Sequence, residues 1–157
     1  MQREEFLRTA MRDHGDAVYR LAVCRLQNRS DAEDVYQDVF LRLFQQPERQ
    51  WDPDHLRAWL LRTAVNCCTD VHRRWKRHPV LALEELGEQA AEQSGGSELW
   101  SAVGQLPPAM RTVVHLYYAE GYQTEEIAGI LRCPAATVRT RLRRARMKLK
   151  DLLGGDE

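Results

Sequence analysis

Apolar residues recur every three to four positions along most of the chain, the spacing that puts them on one face of an α-helix. The clearest stretch lies between Ser30 and Pro47, where the apolar positions are Ala32, Val35, Tyr36, Val39, Phe40 and Leu43. The first half of the chain shows no alternation of apolar and polar residues of the kind that marks a half-buried strand. The pattern therefore predicts an all-α protein.

Capping and breaking residues place the ends of the helices in the first half. Ser30, followed three residues later by Glu33, predicts a capping box at the start of one helix. Asp52 and Pro53 predict the start of the next, with the aspartate as the N-cap and the proline at the first helical position. Gly15 weakens the first helix, so we expect a kink or a break there.

The second half predicts a helix-turn-helix. After a helix over residues 109–120, Thr124 is positioned to cap a short helix that ends near Leu131. Cys133 and Pro134 then form a turn into a longer last helix. A short helix, a tight turn and a longer second helix are the layout that places the second helix in the major groove of DNA.

A change in composition divides the chain. Residues 79–96 lack aromatic side chains and end in Gln93-Ser-Gly-Gly, which is typical of a tether. We therefore expect two small helical domains, residues 1–78 and 97–157, joined by a flexible acidic linker over residues 79–96.

Charge is separated along the chain although the net charge is zero. Residues 79–110 contain five glutamates and no lysine or arginine. Every charged residue from 132 to 150 is basic: Arg132, Arg139, Arg141, Arg143, Arg144, Arg146, Lys148 and Lys150. A second basic cluster contains Arg73, Arg74, Lys76 and Arg77. The distribution indicates two cationic surfaces separated by an acidic connector.

The last helix has the pattern of a DNA-contacting helix. Val138, Leu142 and Ala145 share the face that would pack on the core, and the outer surface carries only basic charge. A solvated helix face normally mixes signs, because opposite charges four residues apart stabilise each other. Arginine suits bidentate hydrogen bonding to guanine edges and phosphates. This helix therefore predicts contact with DNA.

Four acids crowd the start of the 31–44 helix: Asp31, Glu33, Asp34 and Asp38. The helix dipole favours negative charge at this end, which explains some of them. Together with Gln37 they exceed what capping requires, so we favour a basic protein partner for this surface.

The cysteines do not form a metal motif. Cys24, Cys67, Cys68 and Cys133 lie in apolar segments without C-x-x-C spacing, which predicts small core residues. Cys68 and His72 could share a helix face, yet two or three such groups leave a zinc tetrahedron incomplete. We expect no metal and no cofactor.

Nothing in the chain predicts catalysis or membrane insertion. No nucleophile and base, phosphate-binding loop or metal set is evident, and no apolar run approaches the roughly 20 residues that cross a bilayer. The N-terminus lacks the apolar centre of a signal peptide. We expect a cytoplasmic protein that is not an enzyme.

Several motifs together resemble the extracytoplasmic-function (ECF) sigma factors, a branch of the bacterial primary sigma factor family. Leu106-Pro-Pro, the stretch 122–131 and the stretch 133–146 are similar to the family's fourth region, which reads the minus-thirty-five promoter element. Residues 31–44 resemble its second region, which binds core RNA polymerase. The stretch from Trp59 to Arg74 resembles the part that melts and reads the minus-ten element.

The resemblance implies partners and site residues. The partners are core RNA polymerase, through the clamp helices of its largest subunit and its flap, promoter DNA and an anti-sigma factor. The polymerase would be bound by Asp31, Glu33, Asp34, Gln37 and Asp38. The minus-ten element would be held by Arg49, Gln50, Trp51, Asp52, Arg62, Asn66, Asp70, Arg73, Arg74, Lys76 and Arg77. The minus-thirty-five element would be read by Thr124, Thr137, Arg139, Thr140, Arg141, Arg143, Arg144 and Arg146.

Two points stay open at the level of sequence. Arg132 stands where family members often have glycine, and a left-handed backbone there would cost an arginine roughly 1 kcal/mol relative to glycine. The alternative function is a stand-alone helix-turn-helix regulator whose front block senses a ligand or dimerises. The acidic helix and the polar loop before Trp59 favour the sigma factor, and the arginine-rich helix disfavours a protein that only sequesters a partner.

Overall fold

The computed structural model describes residues 2–77 and 98–154, and every regular element in these ranges is helical. The front block contains α1 (Gln2–Leu26), α2 (Arg29–Phe44) and α3 (Pro53–Arg77). The back block contains α4 (Glu98–Gly104), α5 (Pro108–Val114) with a π-helical continuation (His115–Ala119), α6 (Thr124–Leu131) and α7 (Ala135–Leu152). The all-α prediction is confirmed, whereas the linker predicted over residues 79–96 lies outside the described residues.

The helix starts agree with the sequence at α3 and differ at α2 and α6. The cap predicted at Thr124 was wrong, because Gln123 is the N-cap of α6 and Thr124 is its first helical residue. Asp52 caps α3 as predicted, since its Oδ2 accepts hydrogen bonds from two backbone N–H groups of the first turn at 3.1 and 3.2 Å. The cap predicted at Ser30 was wrong. α2 begins one residue earlier, and the side-chain oxygen of Asn28 accepts from the backbone N–H of Asp31 at 2.9 Å. Asn28 has the extended backbone that an N-cap requires, whereas Ser30 is already helical.

Gly15 serves packing and does not kink its helix. α1 runs without interruption from Gln2 to Leu26, so the predicted kink was wrong. A Cβ at position 15 would lie 2.9 Å from the Tyr36 hydroxyl on α2. The missing side chain therefore lets the two helices approach closely.

The two blocks share one hydrophobic core. Leu21, Val39 and Leu60 are completely buried in the front block, as are Val113 and Ile127 in the back block. α1 packs against α5 and α3 packs against α6, which joins the two sets of side chains into one cluster. Each fully buried aliphatic side chain stabilises the fold by about 1.5–3 kcal/mol. None of the helices over residues 2–77 and 98–154 is long and apolar enough to cross a membrane.

A widened helical turn ends the helix that precedes the helix-turn-helix. The backbone N–H of Glu120 donates to the carbonyl of His115 at 3.1 Å, which closes the π-helical turn. Gly121 follows with φ +80°, a conformation that glycine adopts without strain. The side chain of Glu120 is left almost completely buried, at 1% exposure. Such π-helical turns are frequent at functional sites.

Candidate nucleic-acid and polymerase interfaces

The predicted two-faced character of α7 is present in the structure. Val138, Leu142 and Ala145 are buried with at most 1% exposure, and Leu149 is half-buried. The opposite surface is basic, with exposed Arg139, Arg143, Arg144, Arg146, Lys148 and Lys150. Thr137, Thr140 and Arg141 are half-buried at its edge. An apolar inner face thus holds the helix on the core and leaves a row of cations accessible to a polyanion.

Some predicted DNA contacts already have protein partners. The Arg146 Nε donates to the Tyr118 hydroxyl at 2.7 Å, and its guanidinium lies over the rings of Tyr117 and Tyr118. Arg146 therefore anchors α7 to the π-helical segment. The Thr124 hydroxyl donates to Glu125, whose carboxylate lies 3.8 Å from Arg139. The exposed Arg139–Glu125 pair is long and contributes little stability, so Arg139 can exchange it for a phosphate.

Arg132 adopts the left-handed backbone conformation that was considered for it from the sequence, and this conformation is strained for an arginine. It ends α6 with φ 56° and ψ 51°, in the left-handed region. The turn is closed by hydrogen bonds from Arg132 and Cys133 back to the carbonyl of Ala128, which satisfies the end of the helix. The helix-turn-helix therefore has the tight turn that it requires, with an arginine where glycine would be unstrained.

The loop before α3 forms one wall of a cleft. The Trp51 indole packs edge-on against Trp59 with 5.7 Å between ring centres, and the Arg49 guanidinium lies 3.6 Å above the Trp51 ring. Gln50 and Asp52 are exposed beside them. The cleft has a volume of about 370 Å³. Its other wall consists of Gln2, Arg3 and Phe6 on α1, which sequence reasoning missed because nothing in the sequence links them to a loop more than forty residues away.

A polar stripe follows the outer face of α3. Arg62, Asn66, Asp70, Arg73 and Arg77 are spaced four, four, three and four residues apart, so they lie along one side of the helix. All except Arg62 are exposed. The remaining predicted residues, Arg74 and Lys76, are exposed at the same end of α3.

The acidic face of α2 is only partly as predicted. Glu33, Asp34 and Gln37 are exposed. Asp38 is half-buried, pairs with Arg42 at 3.1 Å and accepts a hydrogen bond from the Cys67 thiol. Asp31 is the exception, because it is buried with 4% exposure.

The structure places Asp31 inside the fold and adds Leu41 to the α2 surface. Asp31 lies in the first turn of α2, 3.8 Å from Arg74 on α3, so its carboxylate is not presented to a partner. Leu41 is 54% exposed and continues the row of Asp34 and Asp38 along the helix. An apolar residue on the polar side of an amphipathic pattern was the signal that could have revealed it.

The cysteines behave as core residues. Cys24, Cys67 and Cys68 are buried, which confirms the packing prediction for these three, and Cys133 is half-buried. Burial raises the pKa of Cys68 to about 12, and burial with a hydrogen bond to Asp38 does the same for Cys67. These thiols therefore remain protonated near neutral pH and are poor nucleophiles and metal ligands. Over residues 2–77 and 98–154, no three His, Cys, Asp or Glu side chains converge as a metal site would require.

Comparison with known proteins matches both blocks to one family. The family model of sigma-70 region 2 matches residues 10–78, and that of sigma-70 region 4 matches residues 97–149. The ECF RNA polymerase sigma factor SigE of Mycolicibacterium smegmatis is 36% identical over 154 residues, which cover 91% of this chain and 60% of SigE. This chain thus spans less than two thirds of the length of that relative.

Two further relatives are covered over most of their length. RNA polymerase sigma factor SigV of Bacillus subtilis is 30% identical over 87% of this chain and 84% of SigV. The ECF RNA polymerase sigma factor SigM of Mycobacterium tuberculosis is 31% identical over 91% of this chain and 74% of SigM.

Solved structures share the fold. CnrH in complex with the cytosolic domain of CnrY superposes with a TM-score of 0.69, at 26% identity over 98% of this chain and 91% of that chain. The sigma factor RpoE in complex with the anti-sigma factor NepR from Bartonella quintana also gives a TM-score of 0.69, at 21% identity over 96% of this chain and 98% of that chain. A region 2 match on the front block favours the sigma factor over the stand-alone regulator. With both regions matched in order and relatives at 30% identity or more, this chain belongs to the ECF RNA polymerase sigma factors, which are transcription initiation factors.

Proposed function

We propose that this chain is a promoter-specificity subunit without catalytic groups of its own. It binds core RNA polymerase through α2, holds the melted minus-ten element with residues 49–77 and reads the minus-thirty-five element with α7. The observation that carries the proposal is the structure of α7, whose inner face is buried while every charged residue of its outer face up to Lys150 is basic.

The polymerase surface consists of Glu33, Asp34, Gln37, Asp38 and Leu41. An exposed leucine beside carboxylates combines an apolar contact with charge, as in the centre and rim of a protein interface. The acids suit a basic partner such as the clamp helices and increase the rate of encounter. Asp31 is left out because its carboxylate is buried and stabilises the start of α2.

The cleft beside Trp51 is the proposed site for an unpaired minus-ten base. Taking a base out of the stack costs a few kcal/mol, which stacking on an aromatic side chain offsets by about 1–3 kcal/mol. Asn66 can offer its amide to a base, and Arg73, Lys76 and Arg77 lie further along α3 where they can bind the phosphates of the strand. Arg49, which covers the Trp51 ring, would share that stacking site with the base.

On α7, position along the helix separates base contacts from phosphate contacts. Residues near the start of a recognition helix reach base edges, and later ones meet the backbone. Arg139, Thr140, Arg143 and Arg144 lie nearest the bases in this arrangement. Arg146 is better placed as a support, since it is bonded to Tyr118.

The cellular setting follows from the same proposal. Core polymerase and promoter DNA place the chain in the cytoplasm. An anti-sigma factor holds it inactive, as one is bound to the Bartonella quintana protein whose fold it shares.

Reversing charge on α2 tests the proposal. Asp34→Lys combined with Asp38→Lys should weaken binding to core RNA polymerase by tenfold or more, since like charges across an interface cost several kcal/mol. Asp13→Lys is the matched control because it reverses an exposed acid on a different helix, α1. Circular dichroism verifies the fold of each variant. If the double variant binds core polymerase as tightly as the Asp13→Lys control, α2 does not form the interface.

A further inference from the structure

Two arginines are buried where α1, α3 and α5 meet. Arg25 on α1 is 5% exposed and Arg111 on α5 is 9% exposed. Over residues 2–77 and 98–154, neither guanidinium forms an ion pair with an aspartate or a glutamate. An arginine is almost never buried without a partner, because removing its charge from water is costly. This pair is an exception to that rule.

The hydrogen-bond partners of Arg25 are neutral groups. Its Nη1 donates to the Thr112 hydroxyl at 3.0 Å and its Nη2 to the Thr69 hydroxyl at 3.3 Å. Nη2 also lies 3.3 Å from Nδ1 of His72, which accepts the hydrogen bond because a guanidinium has no acceptor. The His72 ring is therefore neutral. The positive charge of Arg25 is surrounded by dipoles and meets no negative charge.

Arg111 belongs to the same cluster. Its backbone carbonyl accepts a hydrogen bond from the Cys24 thiol at 3.9 Å. Burial lowers the pKa of Arg111, and the charge of Arg25 lowers it further. Burial, followed by the charges of both arginines, also lowers the pKa of His72 to about 4. The two guanidiniums therefore act on the same buried region and repel each other there.

The thiols beside the arginines do not supply the missing negative charge. Burial raises the pKa of Cys24 to about 11 and that of Cys68 to about 12. Both thiols are therefore protonated and neutral near pH 7. The cluster of Arg25, Arg111 and these neutral neighbours keeps an excess of positive charge.

Each arginine also has an N–H group that is left without a protein acceptor. The Nε atoms of Arg25 and Arg111 are fully buried, and neither has a hydrogen-bond partner within residues 2–77 and 98–154. A buried donor without an acceptor loses the hydrogen bond that water gave it. An oxoanion would supply both the negative charge and the acceptors that this cluster lacks.

The cluster reaches the surface beside α3. Thr69 and His72 are half-buried, whereas Arg25 and Arg111 are buried. Trp75 packs edge-on against His72 with 5.4 Å between ring centres and is also half-buried. Arginines at this depth can be reached by a small ion but not by the backbone of a nucleic-acid strand. The site is thus distinct from the exposed cations of α3 and α7.

We propose that Arg25 and Arg111 form a binding site for a compact oxoanion, with inorganic phosphate as the ligand. The planar guanidinium presents N–H groups in a fork that matches the oxygens of a phosphate. The bound ion would neutralise the cluster and stabilise the packing of α1, α3 and α5. The inference does not depend on the proposed function, because neither arginine belongs to the polymerase or promoter surfaces.

Thermal unfolding in phosphate tests the site. The Tm of the parent is measured over a hundredfold range of phosphate concentration, with chloride added to hold the ionic strength constant. Once phosphate exceeds its Kd, each tenfold increase in its concentration should raise the Tm by about 3–6 °C for a chain of this size. Phosphate also stabilises proteins in general because it is excluded from their surfaces. Variants separate that general effect from binding.

Arg111→Gln should lose the increase in Tm that comes from binding and keep only the general effect. Arg8→Gln removes an exposed arginine of α1 and is the matched control, so it should keep the full increase. An equal increase in Arg111→Gln and the parent would overturn the site, as would a parent whose Tm does not respond to phosphate. If Arg111→Gln does not fold, Arg25→Gln removes the other guanidinium and decides the question by the same criterion.

Isothermal titration calorimetry identifies the ligand. The parent and Arg8→Gln should each bind one phosphate per chain that Arg111→Gln does not bind. Adenosine monophosphate carries the same anionic group on a bulky nucleoside, and it should not bind here because the arginines are buried. Binding of the nucleotide that is lost in Arg111→Gln would overturn the assignment to a free ion. Equal phosphate binding by Arg111→Gln and the parent would place the ion elsewhere on the chain and overturn the proposal.

Discussion

Replacing Arg132 with glycine should stabilise the protein by about 1 kcal/mol. An L-residue in the left-handed conformation of Arg132 carries a strain of about 1–2 kcal/mol that glycine avoids. Glycine also loosens the unfolded chain, which takes back about 0.4–1 kcal/mol. A second gain comes from charge, because burial and the nearby Arg132 lower the pKa of Arg62, so the two guanidiniums repel each other.

The matched control for this substitution is Arg132→Ala. Alanine removes the guanidinium and its repulsion of Arg62 but keeps the Cβ and therefore the strain. In thermal unfolding followed by circular dichroism, glycine should raise the Tm by about 2–4 °C for a chain of this size, and alanine should change it much less. An equal increase for both variants would show that the charge, and not the backbone, is responsible. A lower Tm for glycine than for the parent would refute the strain altogether.

Three further predictions concern α7 and the buried groups of the front block. Arg144→Ala should cost about 1–3 kcal/mol of promoter binding free energy and relax the preference for particular bases. Lys148→Ala should weaken binding equally for all sequences and reduce the slope of log affinity against log salt concentration by up to about one. The measurement is the affinity for single-base promoter variants at several salt concentrations, and equal losses across all sequences for both variants would contradict base reading by α7. Burial, with the charges of Arg25 and Arg111, lowers the pKa of His72 from its usual 6.5 to about 4. Below pH 6.5 the unfolded chain therefore binds a proton that the folded chain does not, so the free energy of unfolding should be largest above pH 6.5 and fall as the pH drops from 6.5 toward 4. Urea unfolding at several pH values should show this decrease, and the free energy of unfolding of His72→Gln should depend much less on pH. An unchanged pH dependence in His72→Gln would mean that other groups are responsible for the decrease. Replacing Cys67 and Cys68 with alanine should lower the unfolding free energy by about 1 kcal/mol each and leave transcription intact, and stoichiometric zinc that is lost with them would contradict this.

The helices and their buried faces could be predicted from sequence because they depend on local periodicity. Val138, Leu142 and Ala145 recur at helical spacing, and the structure buries all three. Which residue caps α2 was harder to predict, since Asn28 and Ser30 are both good N-cap residues and lie only two residues apart. The outcome depended on where the preceding backbone becomes extended, which composition does not reveal.

The contacts between the blocks could not be predicted in the same way. Arg20, Arg57 and Glu120 are ordinary charged residues in sequence, and no periodicity links positions up to a hundred residues apart. One signal was present: Glu120 stands at the C-terminal end of a helix, where the dipole disfavours negative charge. An acid in that position needs cations from elsewhere, and the structure supplies them from α1 and α3.

The close approach of α1 and α2 at Gly15 limits which residues can occupy positions 15 and 36. The nearest atoms to a side chain at position 15 would be the hydroxyl and ring of Tyr36, at 2.9 and 3.3 Å. A larger residue there would displace the end of the Tyr36 side chain, which would have to turn away from α1 or be replaced by a smaller one. Variation at position 15 is therefore tied to variation at position 36, and the two positions should change together among related chains. A glycine with no polar group of its own thus fixes how the Tyr36 ring packs between α1 and α2.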